Sequence, residues 1–229
     1  EAITRLLAEE GALPVIVTRS RDSAGRLVED LQALGQRGFF IEADLGEAQT
    51  SRRVIEQTIA EAGKIDAIVN NAGRNDGAGL QQGSPAAFRR SLQANLVHYY
   101  DLVHYALPHL IESRGAIVNI SSKVALTGQG GTSGYAASKG AQLALTREWA
   151  AELSSYGIRV NAVLPAEVMT PLYRAWLENT FDDPRAKERE IVDKIPLDKR
   201  MTTAEEIAAM SVFLISERSA HTTGQLLIV

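Results

Sequence analysis

Ala116-Ile-Val-Asn-Ile-Ser-Ser122 is a mostly apolar run that ends in two hydroxyls, and thirteen residues after Ser122 stands the tyrosine of Tyr135-Ala-Ala-Ser-Lys139. The run reads as a strand covered on both faces, because its apolar residues are consecutive instead of alternating. The second stretch reads as helix, with its phenol and its amine four residues apart on one face. A buried strand followed by a helix is the unit of a parallel α/β sheet, and Ser122 then lies at the carboxyl edge, where such sheets bind ligands.

Working outward, the same alternation continues. Strands are predicted at Val15–Thr18, Gly38–Glu42, Ile65–Val69, Ala116–Ile120, Arg159–Leu164 and Gln225–Val229. Helices with i, i+3/i+4 apolar spacing are predicted at Glu1–Glu10, with Gly11 as a stop, and near 22–34, 47–62, 85–112, 134–155 and 203–215. The expected architecture is α/β: stacked βαβ units around a parallel sheet with helices on both faces, as a single domain over residues 1–229. Pro165–Arg200, charged and carrying Pro171, Pro184 and Pro196, reads as a long excursion between strands that covers a substrate. Glu1–Glu10 reads as the middle of a helix and Val229 falls inside a predicted strand, so residues are expected beyond both ends.

Composition excludes several classes. With 45% hydrophobic and 23% charged residues the chain is an ordinary globular one, and its formal charge of −4 lacks the basic excess that nucleic-acid binding needs. The absence of cysteine removes disulfides, thiolate nucleophiles and Cys-bound metal. No apolar run reaches the roughly 18–20 residues of a membrane span, so a cytoplasmic protein is expected, without nucleic acid or membrane as partner. His98, His104 and His109 share a predicted helix at spacings that match no zinc motif, and no metal site is expected.

Tyrosine titrates near ~10, so a tyrosine base needs a nearby positive charge. Lys139 is placed to supply one. Val69-Asn-Asn-Ala-Gly73 ends a neighbouring strand with small residues that let a flat group approach the backbone, and Asn95 interrupts an apolar helix, where a buried amide needs partners. In this order and spacing, Asn71-Ala72-Gly73, Asn95, Ser122, Tyr135 and Lys139 resemble the short-chain dehydrogenase/reductase family over essentially the whole chain. The resemblance implies a doubly wound Rossmann-type parallel sheet, whose first strand and Gly-rich turn, roughly 15–20 residues, would precede Glu1 with a shorter tail after Val229, and hydride transfer between NAD(P) and an alcohol or carbonyl. It makes Tyr135 the general base, Ser122 the holder of the reacting oxygen, Lys139 the group that lowers the Tyr135 pKa and bonds the nicotinamide ribose, and Asn95 the holder of a proton-relay water.

For the cofactor, the end of the second family strand is decisive: Thr18-Arg19 offers no carboxylate for a ribose diol, and arginine there favours a 2′-phosphate, so NADP is preferred over NAD. Asp44 and Leu45 match the family's adenine contact, and Val168 and Thr170 match residues that bond the nicotinamide amide. Gly73-Arg-Asn-Asp-Gly77-Ala-Gly79 has the spacing of a phosphate-cradling turn but follows the wrong strand and opens no apolar-periodic helix, so it reads as a loop beside the site.

Polar residues gather around the expected pocket: Asn75, Asp76, Lys123, Gln129 and Glu167. Pockets for flat apolar ligands carry few such groups, so a small sugar or polyol is expected. The wording of these loops is similar to bacterial L-fucose-oxidising members of the family, which implies oxidation of an aldose at its anomeric carbon to the lactone. The rivals are a reductase of another ketone or an acyl thioester, and a non-catalytic nucleotide-binding sensor or scaffold. The resemblance also implies a homotetramer or homodimer.

Overall fold

The computed structural model describes all residues, 1–229. Strands β1 (Val15–Thr18) and β2 (Phe39–Glu42) pair in parallel, as do β3 (Ala67–Asn70), β4 (Ala116–Ile120), β5 (Arg159–Leu164) and β6 (Leu226–Ile228), in the order β3-β4-β5-β6. The predicted strands are all present within about two residues at their ends, as expected for boundaries read from pattern. The hydrogen-bonded ladder is divided into a two-stranded and a four-stranded part, and β1 and β3 do not bond each other. One hydrophobic cluster nonetheless spans both, from Ile41 on β2 to Ile117 on β4 and Val160 on β5.

Helices cover both faces. Helices α3 (Thr50–Ala62), α5 (His98–Ser113) and α7 (Ser133–Glu152) bury Val54, Leu102, Leu110 and Trp149 against one face. On the other, α1 (Ala2–Glu9) and α10 (Ala204–Ile215) set Ile3, Ile207 and Leu214 against Val118, Ile120 and Val163. The strand period of two sorts β4: Ile117 and Asn119 point toward α5 and α7, while Val118 and Ile120 point toward α10. Helix α2 (Arg21–Ala33) packs on β1 and β2. No helix is long and apolar enough to cross a membrane.

The helix predicted over 85–112 is interrupted. Helix α4 (Pro85–Leu92) leads through a π turn, Gln93–Val97, into α5. Such turns insert an extra residue and concentrate at functional sites. Here the turn carries Asn95. The 165–200 excursion is more regular than its composition implied: α8 (Pro171–Thr180) and α9 (Pro184–Asp193) each start with proline at the first turn, capped by Thr170 and Asp183. A bridge between Val168 and Thr202 ties the two ends of the excursion together.

Candidate active site

All strands being parallel, their carboxyl ends share one edge, and the sequence-predicted residues lie along it. Ser122 follows β4, Asn71, Ala72 and Gly73 follow β3, Val168 and Thr170 follow β5, and Arg19, Asp44 and Leu45 follow β1 and β2. Between β4 and α7 a short helix, α6 (Val124–Thr127), and a glycine-rich turn bring the chain back to Tyr135.

Tyr135 and Lys139 are one turn apart on α7, and the Lys139 Nζ stands 5.5 Å from the centre of the Tyr135 ring. Lys139 is buried, and Nζ donates a 2.8 Å hydrogen bond to the carbonyl of Ile120, the last residue of β4. Burial holds its amine down at about 8. Burial pushes the Tyr135 phenol above its ordinary value, and bonding with Ser122 pulls it part of the way back. Lys139 faces the ring, and its hydrogen bond goes to the β4 carbonyl.

Asn95 is fully buried and saturated. Its Oδ1 accepts from the Arg74 backbone N–H at 2.7 Å, its Nδ2 donates to the Ser91 carbonyl at 2.9 Å, and its own carbonyl accepts from Gln142 Nε2 at 2.7 Å. Gln142, fully buried on α7, also receives at its carbonyl the Thr146 hydroxyl, which in turn accepts from Asn119 of β4. Gln142 was not singled out from sequence. The signal was there for Gln142, because positions 135, 139, 142 and 146 form one helical stripe.

Gly73 shows why a glycine ends this loop: a Cβ there would meet Asn95 Oδ1 at 2.9 Å and approach Lys139 Nζ to 4.0 Å. The open backbone at Ala72 and Gly73 beside Lys139 is the kind of cradle a flat ring system needs. Farther along the edge, Arg19 is exposed and only loosely paired with Asp44, at 3.5 Å. Asp44 itself caps the Gly46 N–H through its other oxygen, at 2.9 Å. The residues present thus fit a dinucleotide laid from β1 and β2 to β3 and β4.

On the substrate side the sequence expectation is altered. Lys123 and Glu167 form an ion pair with each other, and the Tyr173 hydroxyl donates to the second oxygen of Glu167 at 2.7 Å. Burial raises the Glu167 carboxyl, but the bonds from Lys123 and Tyr173 outweigh it and leave the group below its ordinary value. Thr170 spends its hydroxyl on the first turn of α8, accepting from the Tyr173 N–H at 3.1 Å. Gln129 is exposed in the glycine-rich turn, and Asn75 accepts from the Gly77 N–H at 3.3 Å. The 73–79 stretch runs as loop, and the next helix begins only at Pro85. His98 is buried against the Ala72 carbonyl, and His104 stacks on Tyr100.

The profile of a family described as Enoyl-(Acyl carrier protein) reductase matches residues 1–229. A mouse (Mus musculus) L-fucose dehydrogenase is 37% identical over 228 residues, which is 99% of this chain and 81% of the mouse protein. The chain belongs to the short-chain dehydrogenase/reductase family. As a member of it, the protein is an NAD(P)-dependent oxidoreductase with a Rossmann-type fold. A family member from Thermotoga maritima, a 3-oxoacyl-(acyl-carrier-protein) reductase, is 32% identical over 99% of this chain and 89% of its own. Among solved short-chain dehydrogenase/reductase structures, that of Cj0485 dehydrogenase is 41% identical and superposes with a TM-score of 0.93, covering 99% of this chain and 86% of that one.

Proposed function

We propose that this short-chain dehydrogenase oxidises a small polyhydroxylated substrate, an aldose of the L-fucose type, at its anomeric carbon to the lactone. The observation that carries the proposal is the convergence of Tyr135, Lys139, Ser122 and Asn95 on one edge of the sheet, beside a polar cluster made by Lys123, Glu167 and Tyr173. The mouse L-fucose dehydrogenase supports the choice of sugar.

In this reading Ser122 bonds the reacting hydroxyl and Tyr135 takes its proton. The protonated amine of Lys139 biases the phenol toward its anion and reaches the nicotinamide ribose. Asn95 holds the water that passes the proton outward. Ala72, Gly73, Val168 and Thr170 would line the nicotinamide, Asp44 and Leu45 the adenine, and Arg19 a 2′-phosphate, which makes NADP the preferred cofactor. When bound, the cofactor supplies the hydride acceptor. Asn75, Gln129, Lys123 and Glu167 would meet the sugar hydroxyls, and the 165–200 excursion would cover them. The reading carries with it a cytoplasmic homotetramer or homodimer.

A carbonyl or acyl-thioester reductase is the second reading, favoured by the Thermotoga maritima relative. The charge of Glu167 does not exclude it, because Lys123 compensates that charge. What favours the sugar is the number of polar groups, not their net sign.

The test is turnover of L-fucose with NADP or NAD by the purified protein. No oxidation across a panel of aldoses and polyols, with cofactor bound, overturns the substrate. Tyr135→Phe should bind cofactor and lose oxidation, and retained oxidation overturns the mechanism.

A further inference from the structure

Lys139 poses a physical problem. An ammonium in a buried site is strongly disfavoured unless something replaces its hydration, and buried lysines are ordinarily paired. Lys139 forms no ion pair: Nζ has the Ile120 carbonyl, and burial lowers its titration. The titratable groups that face it are Tyr135 on its own helix and Tyr99 and His98 from α5, of which none is an anion at neutral pH. His98 is kept neutral first by burial, and Lys139 opposes its protonation further.

Tyr99 is the residue that answers the problem. It is fully buried, its ring centre lies 5.7 Å from the Lys139 Nζ, and its hydroxyl donates to the same Ile120 carbonyl at 3.2 Å. The ammonium thus stands over two tyrosine rings, at 5.7 and 5.5 Å, and bonds one carbonyl. Aromatic faces are negative, and their attraction for a cation grows where water is absent. Burial also keeps the Tyr99 phenol protonated, so its hydroxyl is a permanent donor.

We propose that Tyr99 is a positioning residue for the reaction, whose ring face stands in for the missing counter-ion and keeps the Lys139 amine charged and aimed along α7 at Tyr135. The Tyr135 ring shares the task, but Tyr135 must change its own charge during turnover, whereas Tyr99 does not. The inference rests on the reading that the Tyr135–Lys139 pair does the chemistry.

The test replaces Tyr99 by phenylalanine and by ring-fluorinated phenylalanines of nearly the same volume, which keep the packing and progressively weaken the negative ring face. The Lys139 titration is read directly from lysine 13Cε chemical shifts in the protein alone, assigned with Lys139→Met, so the readout does not depend on activity. The expected result is a titration that falls step by step with fluorination, by roughly half to one pH unit in the most fluorinated variant. The acid limb of the oxidation rate should move to higher pH in the same order, since a less charged Lys139 leaves Tyr135 harder to ionise. A Lys139 titration that stays fixed through the series overturns the proposal. Retained oxidation in Tyr135→Phe overturns the underlying mechanism instead, and leaves the Tyr99–Lys139 measurement standing.

Discussion

Gln142 donates its side-chain amide to the backbone carbonyl of Asn95 at 2.7 Å, which fastens the helix that carries Tyr135 and Lys139 to the π turn that carries Asn95. Both residues are fully buried. Removing one partner of such a bond is costlier than removing both, since the other is left without solvent. Gln142→Leu should therefore destabilise the protein by about 1–2 kcal/mol, measured by urea unfolding. It should also lower kcat more than it raises KM for either substrate, because the Asn95 turn loosens while the binding edges stay.

That bond also marks the limit of what was legible in the sequence. The strands were readable because β-branched runs such as Ala116–Ile120 are buried on both faces and tolerate no other period. Tyr135, Lys139, Ser122 and Asn95 were readable only together, because singly each has ordinary structural uses and it is their joint order and spacing that resemble the family. The π turn was not readable. It depends on Arg74 and Gln142 approaching Asn95 from remote segments, and periodicity within 85–112 carries no trace of them. The mutual pairing of Lys123 and Glu167 was hidden for the same reason, 44 residues apart. Helices α8 and α9 were legible and missed: Thr170-Pro171 and Asp183-Pro184 are a cap followed by proline at the first turn, the ordinary start of a helix.

Lys139 links the site to stability. Its amine is held at about 8 in the folded protein against an ordinary 10.5, so between those values the unfolded chain binds a proton that the folded one releases. Stability from this group therefore rises with pH through that window and is lowest below it, where both states carry the charge. Lys139→Met should abolish oxidation yet be more stable than the parent at pH 7. Its advantage should shrink by about 3 kcal/mol from pH 8 to pH 10.5, measured as the difference between two denaturant series.

Arg19 is exposed, and its contact with Asp44 is long at 3.5 Å, a surface pair that contributes little to folding. Its guanidinium is thus free for a phosphate. Arg19→Leu should leave unfolding within about 0.5 kcal/mol of the parent. KM for NADP should rise by about tenfold or more, in keeping with the loss of a charge-assisted hydrogen bond, while KM for NAD changes little. Equal effects on both cofactors would show that Arg19 does not read the 2′-phosphate.

The Lys123–Glu167–Tyr173 cluster ties the residue after Ser122 to the first turn of α8, so it bears on both stability and substrate. Burial raises the Glu167 carboxyl, but Lys123 and Tyr173 together hold it below its ordinary 4.5. Its contribution to stability is then fully present above that ordinary value and is lost as pH falls through the lower folded one. The stability difference between the parent and Glu167→Gln should accordingly narrow as pH falls from 6 toward 3. A double-mutant cycle with Lys123→Met should return a coupling of about 1 kcal/mol, because both side chains keep some contact with solvent. In kinetics, Glu167→Gln should raise KM for the sugar and leave KM for the cofactor unchanged. If instead kcat falls with KM intact, the cluster acts by holding α8 over Ser122, and Glu167 does not touch the sugar.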